Sequence, residues 1–261
     1  MPEGDTIAGL ALRLAPALSG RVIRACEAQA LDPAGLIGRR VEAVRSHGKH
    51  LMVDVDGGLT LLVHLGMLGR VRVLRAPLRE RRTTPQLLLE VDGARVLFSR
   101  VPVLRLVARQ AAARVVGALG PDLAGEAFDL DEATRRLRAS ERPTIAEALL
   151  DQGAMAGVGN ELKSEILFLE RQSPRARVAD VDDARLRAIV SRARALVVAN
   201  VGRARVTRNA LRGPRVWVYG RAGRACLRCG GVIEKITQGR DVPRSTYFCA
   251  TCQPSPRPVA P

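Results

Sequence analysis

Four of the five cysteines fall in two close pairs, Cys226 with Cys229 and Cys249 with Cys252, inside "CLRCGGVIEKITQGRDVPRSTYFCATC". Two CxxC pairs in a short segment suit four thiolates around one tetrahedral zinc ion. A four-cysteine shell has no open position, so such a metal is structural. Two disulfides are the competing reading, disfavoured in a reducing compartment. Cys26 stands alone and reads as a small buried hydrophobe. Between the pairs, "VPRSTYFC" reads as the second strand of a hairpin, with Arg244 at its start. A hairpin tip there projects a guanidinium outward; one more solvated arginine is the plainer reading. "LLDQGAMAGVGNELKSEILF" ends a helix in Gly157-Val158-Gly159 and begins another near Asn160. Glycines permit close backbone approach, amides at a helix start hold phosphate, and Asn160 adds a donor. An ordinary helix cap explains the same residues.

Three further stretches have functional and plain readings side by side. In "SHGKHLMVDV", Lys49 at a strand start is either solvated or, if it points into a cleft, a phosphate ligand. In "HLGMLG", Met67 and Leu68 occupy a turn, where large apolar side chains suit insertion between base steps or a loop tucked into the core. "MPEGDTIAGL" puts Pro2 and Glu3 ahead of a helix, and proline tolerates a first helical turn.

The elements that must position these residues follow from periodicity. Residues 1–19 form a helix on the spacing of Ile7, Leu10, Leu14 and Leu18. "LMVDVDGGLTLLVHLGMLGRVRVL" reads as strand, turn and strand around Asp56-Gly57-Gly58. "LLLEVDGARVLF" repeats the pattern around Asp92-Gly93, and "VLRLVA" adds a strand. Residues 119–129 carry Gly, Pro and Asp without period and read as a linker. Beyond them, "TIAEALLDQ" is a helix with Pro143 before it, and Leu186, Ile189, Val190, Ala193, Leu196 and Val197 mark one face of another.

The 261 residues suffice for two domains, and a 47% hydrophobic share marks a globular chain. Lys and Arg number 42 against 26 acids, giving a net charge of +16, mostly from arginine. That excess favours a polyanionic partner, nucleic acid ahead of membrane. With no signal-peptide pattern and no run of eighteen apolar residues, the expected compartment is the cytoplasm.

In this order, "MPEG", "HGKHL", "DQGAMAGVGNELKSEILF" and "VYGRAGRACLRCG" leading into the four-cysteine hairpin resemble one family. It is the bacterial formamidopyrimidine-DNA glycosylase and endonuclease VIII group of base-excision repair enzymes. The resemblance spans almost the whole chain. It implies an α+β fold: an N-terminal helix plus β-sandwich domain, then a helical (helix-two-turn-helix) domain with a β-hairpin zinc finger. The divisions fall at 1–118, a linker at 119–130, then 131–215, 216–253 and a disordered tail at 254–261. The implied partner is double-stranded damaged DNA, bound by a nucleoid-associated monomer carrying one structural Zn2+.

The resemblance also assigns roles. Removal of Met1 leaves Pro2 with a secondary amine that attacks C1′ of a damaged nucleoside. The resulting iminium stays cationic without a proton and drives β,δ-elimination. Glu3 is the general acid and base that protonates the sugar ring oxygen. Lys49, placed in the catalytic set, grips phosphates with Asn160 and Arg244. Met67 and Leu68 fill the space of the extruded nucleotide. Where many relatives carry a glutamate near the fifth or sixth position, this chain has Asp5 and Thr6. Where the purine-specific branch has an Arg and Phe pair, it has "FSRVPVLRLV", which leans toward endonuclease VIII and oxidised pyrimidines. An 8-oxoguanine glycosylase of the same fold and a non-catalytic zinc-ribbon protein that binds damaged DNA remain the alternatives.

Overall fold

Every third or fourth residue of the first helix, α1 (Gly4–Leu18), is apolar. Ile7, Leu10, Leu14 and Leu18 are all buried, as their spacing predicts. Pro2 does not begin this helix. The N-cap is Glu3, so Pro2 lies outside the helical hydrogen bonding, and the proline within α1 is Pro16. The computed structural model describes residues 2–75, 84–208, 213–239 and 242–254. Met1 and the tail from residue 255, expected to be disordered, lie outside them.

The described chain divides into two units, Met1–Ala118 and Leu119–Pro261. In the first, eight strands follow α1: β1 (Ala25–Ala28), β2 (Val41–His47), β3 (His50–Val55), β4 (Leu59–His64), β5 (Arg70–Arg75), β6 (Leu87–Val91), β7 (Ala94–Ser99) and β8 (Val103–Ala108). They form two four-stranded sheets, β1-β6-β7-β5 and β2-β3-β4-β8, with antiparallel pairings. The turns fall at residues 56–58 and 92–93, where the Asp-Gly signals put them. Strand alternation sends Leu51, Val53, Val55, Leu61 and Val63 into a core shared with both sheets and α1. Their neighbours His50, Met52, Thr60, Leu62 and His64 therefore face the other side. Cys26 is buried in the same core. Helix α2 (Arg109–Gly117) closes the unit.

The second unit begins at Leu119, and the stretch read as a linker packs into it. The Gly120 and Leu123 N–H groups donate to the Gln152 and Ala156 carbonyls (2.8 and 3.1 Å), and Leu123 is fully buried. Helices α3 (Leu130–Arg138), α4 (Ile145–Ala148), α5 (Asn160–Leu169) and α6 (Asp183–Asn200) surround a second core. Helix α4 is shorter than expected over 144–152 and stops at Ala148. Asp151 Oδ1 takes the Gly153 N–H, and Gln152 Nε2 donates to the Leu150 and Val158 carbonyls. These side chains compete with helical bonding and stabilise turns instead. Gly157-Val158-Gly159 thus does not end a helix: it lies in irregular backbone after α4, and Gly159 caps the start of the next helix. The predicted face of α6 is buried at Leu186, Ile189, Val190, Ala193 and Val197, with Leu196 half-buried against it. Strands β9 (Ile233–Gln238) and β10 (Arg244–Cys249) form the C-terminal hairpin.

Candidate functional site

At the start of the first unit, Pro2 is half-buried while Glu3 is 0% exposed. The Glu3 carbonyl accepts the Ile7 N–H at 3.0 Å, which anchors the residue on α1. Asp5 is also buried, and its Oδ1 accepts from the Thr6 N–H and hydroxyl at 2.6 and 3.1 Å. Two buried carboxyl residues therefore stand at the start of α1, and Glu3 is bonded directly to the residue that carries the candidate amine.

Lys49 occupies the two-residue turn between β2 and β3, after Gly48, whose φ of 53° suits the first central position of a tight hairpin. His47 pairs with His50 across this turn, and His50 pairs with His64 on β4. Directly opposed residues share a face, so all three histidines of the chain form one row beside Lys49. The His50 and His64 rings are 5.2 Å apart. Burial, then His64, His47 and Lys49, push His50 down to about 4; burial and Lys49 lower His64 as well. His64 Nδ1 accepts the Gly66 N–H at 3.2 Å. A neutral ring in that tautomer carries its proton on Nε2, a donor suited to an anion.

Strand β4 runs from His64 into the loop with Met67 and Leu68. Both are 64% exposed, so this loop is not tucked into the core. Gly66 has φ 58°, and a side chain there would meet Pro102; one at Gly69 would meet the Leu65 carbonyl. The β7–β8 connection, residues 100–102, reaches the same end of the sheet, since Val103 pairs with His64. Gln86 pins it by bonding both the N–H and carbonyl of Val101 (2.8 and 2.9 Å). The lysine turn, the apolar loop and this short connection lie together.

In the second unit, α5 begins at Asn160, 8% exposed, with Gly159 as N-cap. Glu165, fully buried on the same helix, accepts the N–H groups of Trp217, Val218 and Tyr219 (2.8, 2.9 and 2.8 Å) and the Thr207 hydroxyl. Arg244 is half-buried at the foot of β10, opposite Gln238. The four paired cysteines bring their sulfurs within 4.8 Å of one another. Cys226–Cys252 and Cys229–Cys249 Sγ separations are 3.9 and 3.5 Å. A tetrahedral shell with Zn–S bonds of about 2.3 Å has sulfurs roughly 3.8 Å apart. The site fits one zinc and is not disulfide-bonded. The Gly231 backbone N–H, with the neighbouring thiols, brings Cys229 down to about 7. Gln253 braces the site: its Oε1 accepts the Cys249 N–H at 3.0 Å while its Nε2 donates to the Gln172 carbonyl at 2.8 Å.

Known proteins match both units. The formamidopyrimidine-DNA glycosylase N-terminal domain matches residues 1–105, its H2TH domain matches 119–209, and the zinc finger found in FPG and IleRS matches 223–254. A "Probable endonuclease 8 2" of Streptomyces coelicolor is 40% identical, covering 99% of this chain and 96% of its own. The chain belongs to the formamidopyrimidine-DNA glycosylase family of DNA repair glycosylases and lyases. A formamidopyrimidine-DNA glycosylase relative described as "DNA-(apurinic or apyrimidinic site) lyase Nei2", from Mycolicibacterium smegmatis, is 35% identical over 97% of this chain and 99% of its own. The crystal structure of the MutM (Fpg) protein from Thermus thermophilus has a TM-score of 0.79 at 30% identity, covering 97% of this chain and 98% of that one. No helix among the described residues is long and apolar enough to cross a membrane.

For this formamidopyrimidine-DNA glycosylase family member, sequence reasoning passed over the histidine row, Glu165 and Gln253. The row had a signal: three histidines in the whole chain, two of them flanking Lys49. Gln253, next to the last cysteine, had none.

Proposed function

We propose that the chain is a bifunctional DNA glycosylase and abasic-site lyase that prefers oxidised pyrimidines. After loss of Met1, the Pro2 amine attacks C1′ of the extruded nucleotide and the base departs. Glu3 protonates the sugar ring oxygen, and the iminium acidifies C2′ for successive β and δ elimination. Its burial keeps the Glu3 carboxyl away from bulk water, where a proton donor is most effective. Lys49, Asn160 and Arg244 hold phosphates around the lesion, and the His64 Nε2–H adds a donor beside Lys49. Met67 and Leu68 occupy the vacated stack; their exposure in a loop held by glycines supports that use. The zinc supplies no reactive position and holds the hairpin that carries Arg244.

The observation that carries the pyrimidine preference is the β7–β8 connection. Residues 100–102 offer the exposed Arg100, at a φ of 54°, but no second wedge beside it: Val101 is buried, Pro102 follows, and no aromatic residue stands there. Without an aromatic partner to fix that arginine against the orphaned base, discrimination by the opposite base is weak. Cleavage of thymine glycol or 5-hydroxyuracil is expected to exceed that of 8-oxoguanine opposite cytosine by at least about tenfold, a barrier difference of about 1.4 kcal/mol. Single-turnover rates on matched duplexes, with borohydride trapping of the iminium, test both claims. Faster 8-oxoguanine cleavage moves the chain to the purine branch, and absence of any trapped adduct leaves only a damage-binding protein.

A further inference from the structure

Lysine is rare in this chain: among 42 basic residues it occurs only as Lys49, Lys163 and Lys235. Lys163 is 1% exposed, in the second turn of α5. Its ammonium donates to Asn160 Oδ1 at 2.8 Å, to Thr246 Oγ1 at 2.7 Å and to the Ser245 carbonyl at 3.3 Å. The Thr246 hydroxyl donates onward to Gln238 Oε1 at 2.7 Å, and Gln238 Nε2 donates to Thr144 Oγ1 and the Pro174 carbonyl, both at 3.1 Å. Gln238 is the cross-strand partner of Arg244. Ser164 runs a parallel tie: its hydroxyl donates to the Asn160 carbonyl and accepts the Tyr247 N–H (3.2 and 3.3 Å). One polarised chain of donors therefore joins Asn160 to the strand pair bearing Arg244.

The direction of the chain decides how Asn160 faces. An ammonium only donates, so the amide atom it meets is the oxygen. Nδ2 is then on the opposite branch of the amide, as a donor for something else. We propose that Lys163 is a positioning residue, which aims the Asn160 amide N–H groups at a DNA phosphate and holds them in register with Arg244. This rests on the reading of Asn160 and Arg244 as phosphate ligands. Neither branch of an unrestrained amide is favoured, whereas one locked by a buried ammonium presents the donor before DNA arrives. The guanidinium, planar and forked, does not supply three tetrahedral donors from one atom, which gives a reason for lysine here in a chain that elsewhere uses arginine.

The test uses the full-length zinc-loaded protein and a duplex with a tetrahydrofuran abasic-site analogue. Asn160→Ala examines the underlying reading first: an unchanged Kd removes Asn160 as a ligand and the inference with it. Given a loss there, Lys163→Met is expected to weaken binding about tenfold, the scale of one charge-assisted hydrogen bond. On a duplex with a natural abasic site the cleavage rate at saturating enzyme stays within about threefold, and on the analogue the double variant binds no worse than Asn160→Ala alone. Losses that multiply, or a loss confined to the saturated rate, overturn the inference and leave Asn160 a ligand. If Lys163→Met loses zinc or its melting transition, Thr246→Val in the same cycle with Asn160→Ala carries the test: coupling supports the chain of donors and independent losses overturn it.

Discussion

Pro2 acquires its chemistry only by losing a neighbour. While Met1 is attached, the ring nitrogen is an amide without nucleophilic character; once Met1 is removed, it is a secondary amine. Protein shown by mass spectrometry to retain Met1 is expected to give no borohydride adduct with abasic-site DNA, and an adduct from such protein removes Pro2 as nucleophile. His50 offers a second measurement at this scale. Burial first, then His64, His47 and Lys49, hold it at about 4 against an ordinary 6.5. Between those values the unfolded chain binds a proton that the folded chain refuses. Stability therefore falls as pH drops from 6.5 toward 4, and is unaffected by this group above 6.5. His50→Gln is expected to flatten the fall of Tm across that window. Equal slopes for both proteins would show that His50 does not titrate there differently on folding.

The C-terminal hairpin is the element expected to owe its order to metal. Its small core holds Cys226 and Cys249 beside Phe168, Val218 and Ile233, while the two larger cores contain none of the four ligands. Cys249→Ser is expected to lose zinc, weaken DNA binding by about tenfold or more, and leave the main melting transition in place, as ligands that fold only a local site do. Elemental analysis and melting read this directly; full zinc occupancy in the variant would exclude Cys249 from the shell. Elements were legible in the sequence where burial alone shapes them. The α1 stripe, the two Asp-Gly turns and the α6 face each follow from the period of their apolar residues. Helix α4 was overread because Leu149 and Leu150 continue the helical spacing, while the bonds from Asp151 and Gln152 that end it pair side chains with turn backbone. Gln253 and Lys163 were invisible for another reason: their partners lie some eighty residues away, at Gln172 and Thr246, and no local pattern records such a pair. The order of the candidate site residues was plain; the bonding that sets their direction was not.

On the scale of the molecule, the charge of +16 is spread over both units, and DNA affinity is expected to be strongly salt-dependent. Each neutralised duplex phosphate contributes roughly −0.9 to the slope of log K against log salt. Arg244→Ala should reduce the slope by about one and weaken binding to damaged and undamaged duplexes alike; an unchanged slope places Arg244 off the DNA. The preference for arginine has a chemical side as well. An abasic site exposes an aldehyde, and aldehydes condense with free amines. Guanidinium groups stay protonated and hold phosphate without condensing. Of the three lysines, Lys163 is buried and Lys49 half-buried, leaving Lys235 as the exposed one. A stripped sugar passing along this surface meets few rival amines, so few side adducts can hold the protein on its own product before the terminal nitrogen reaches it.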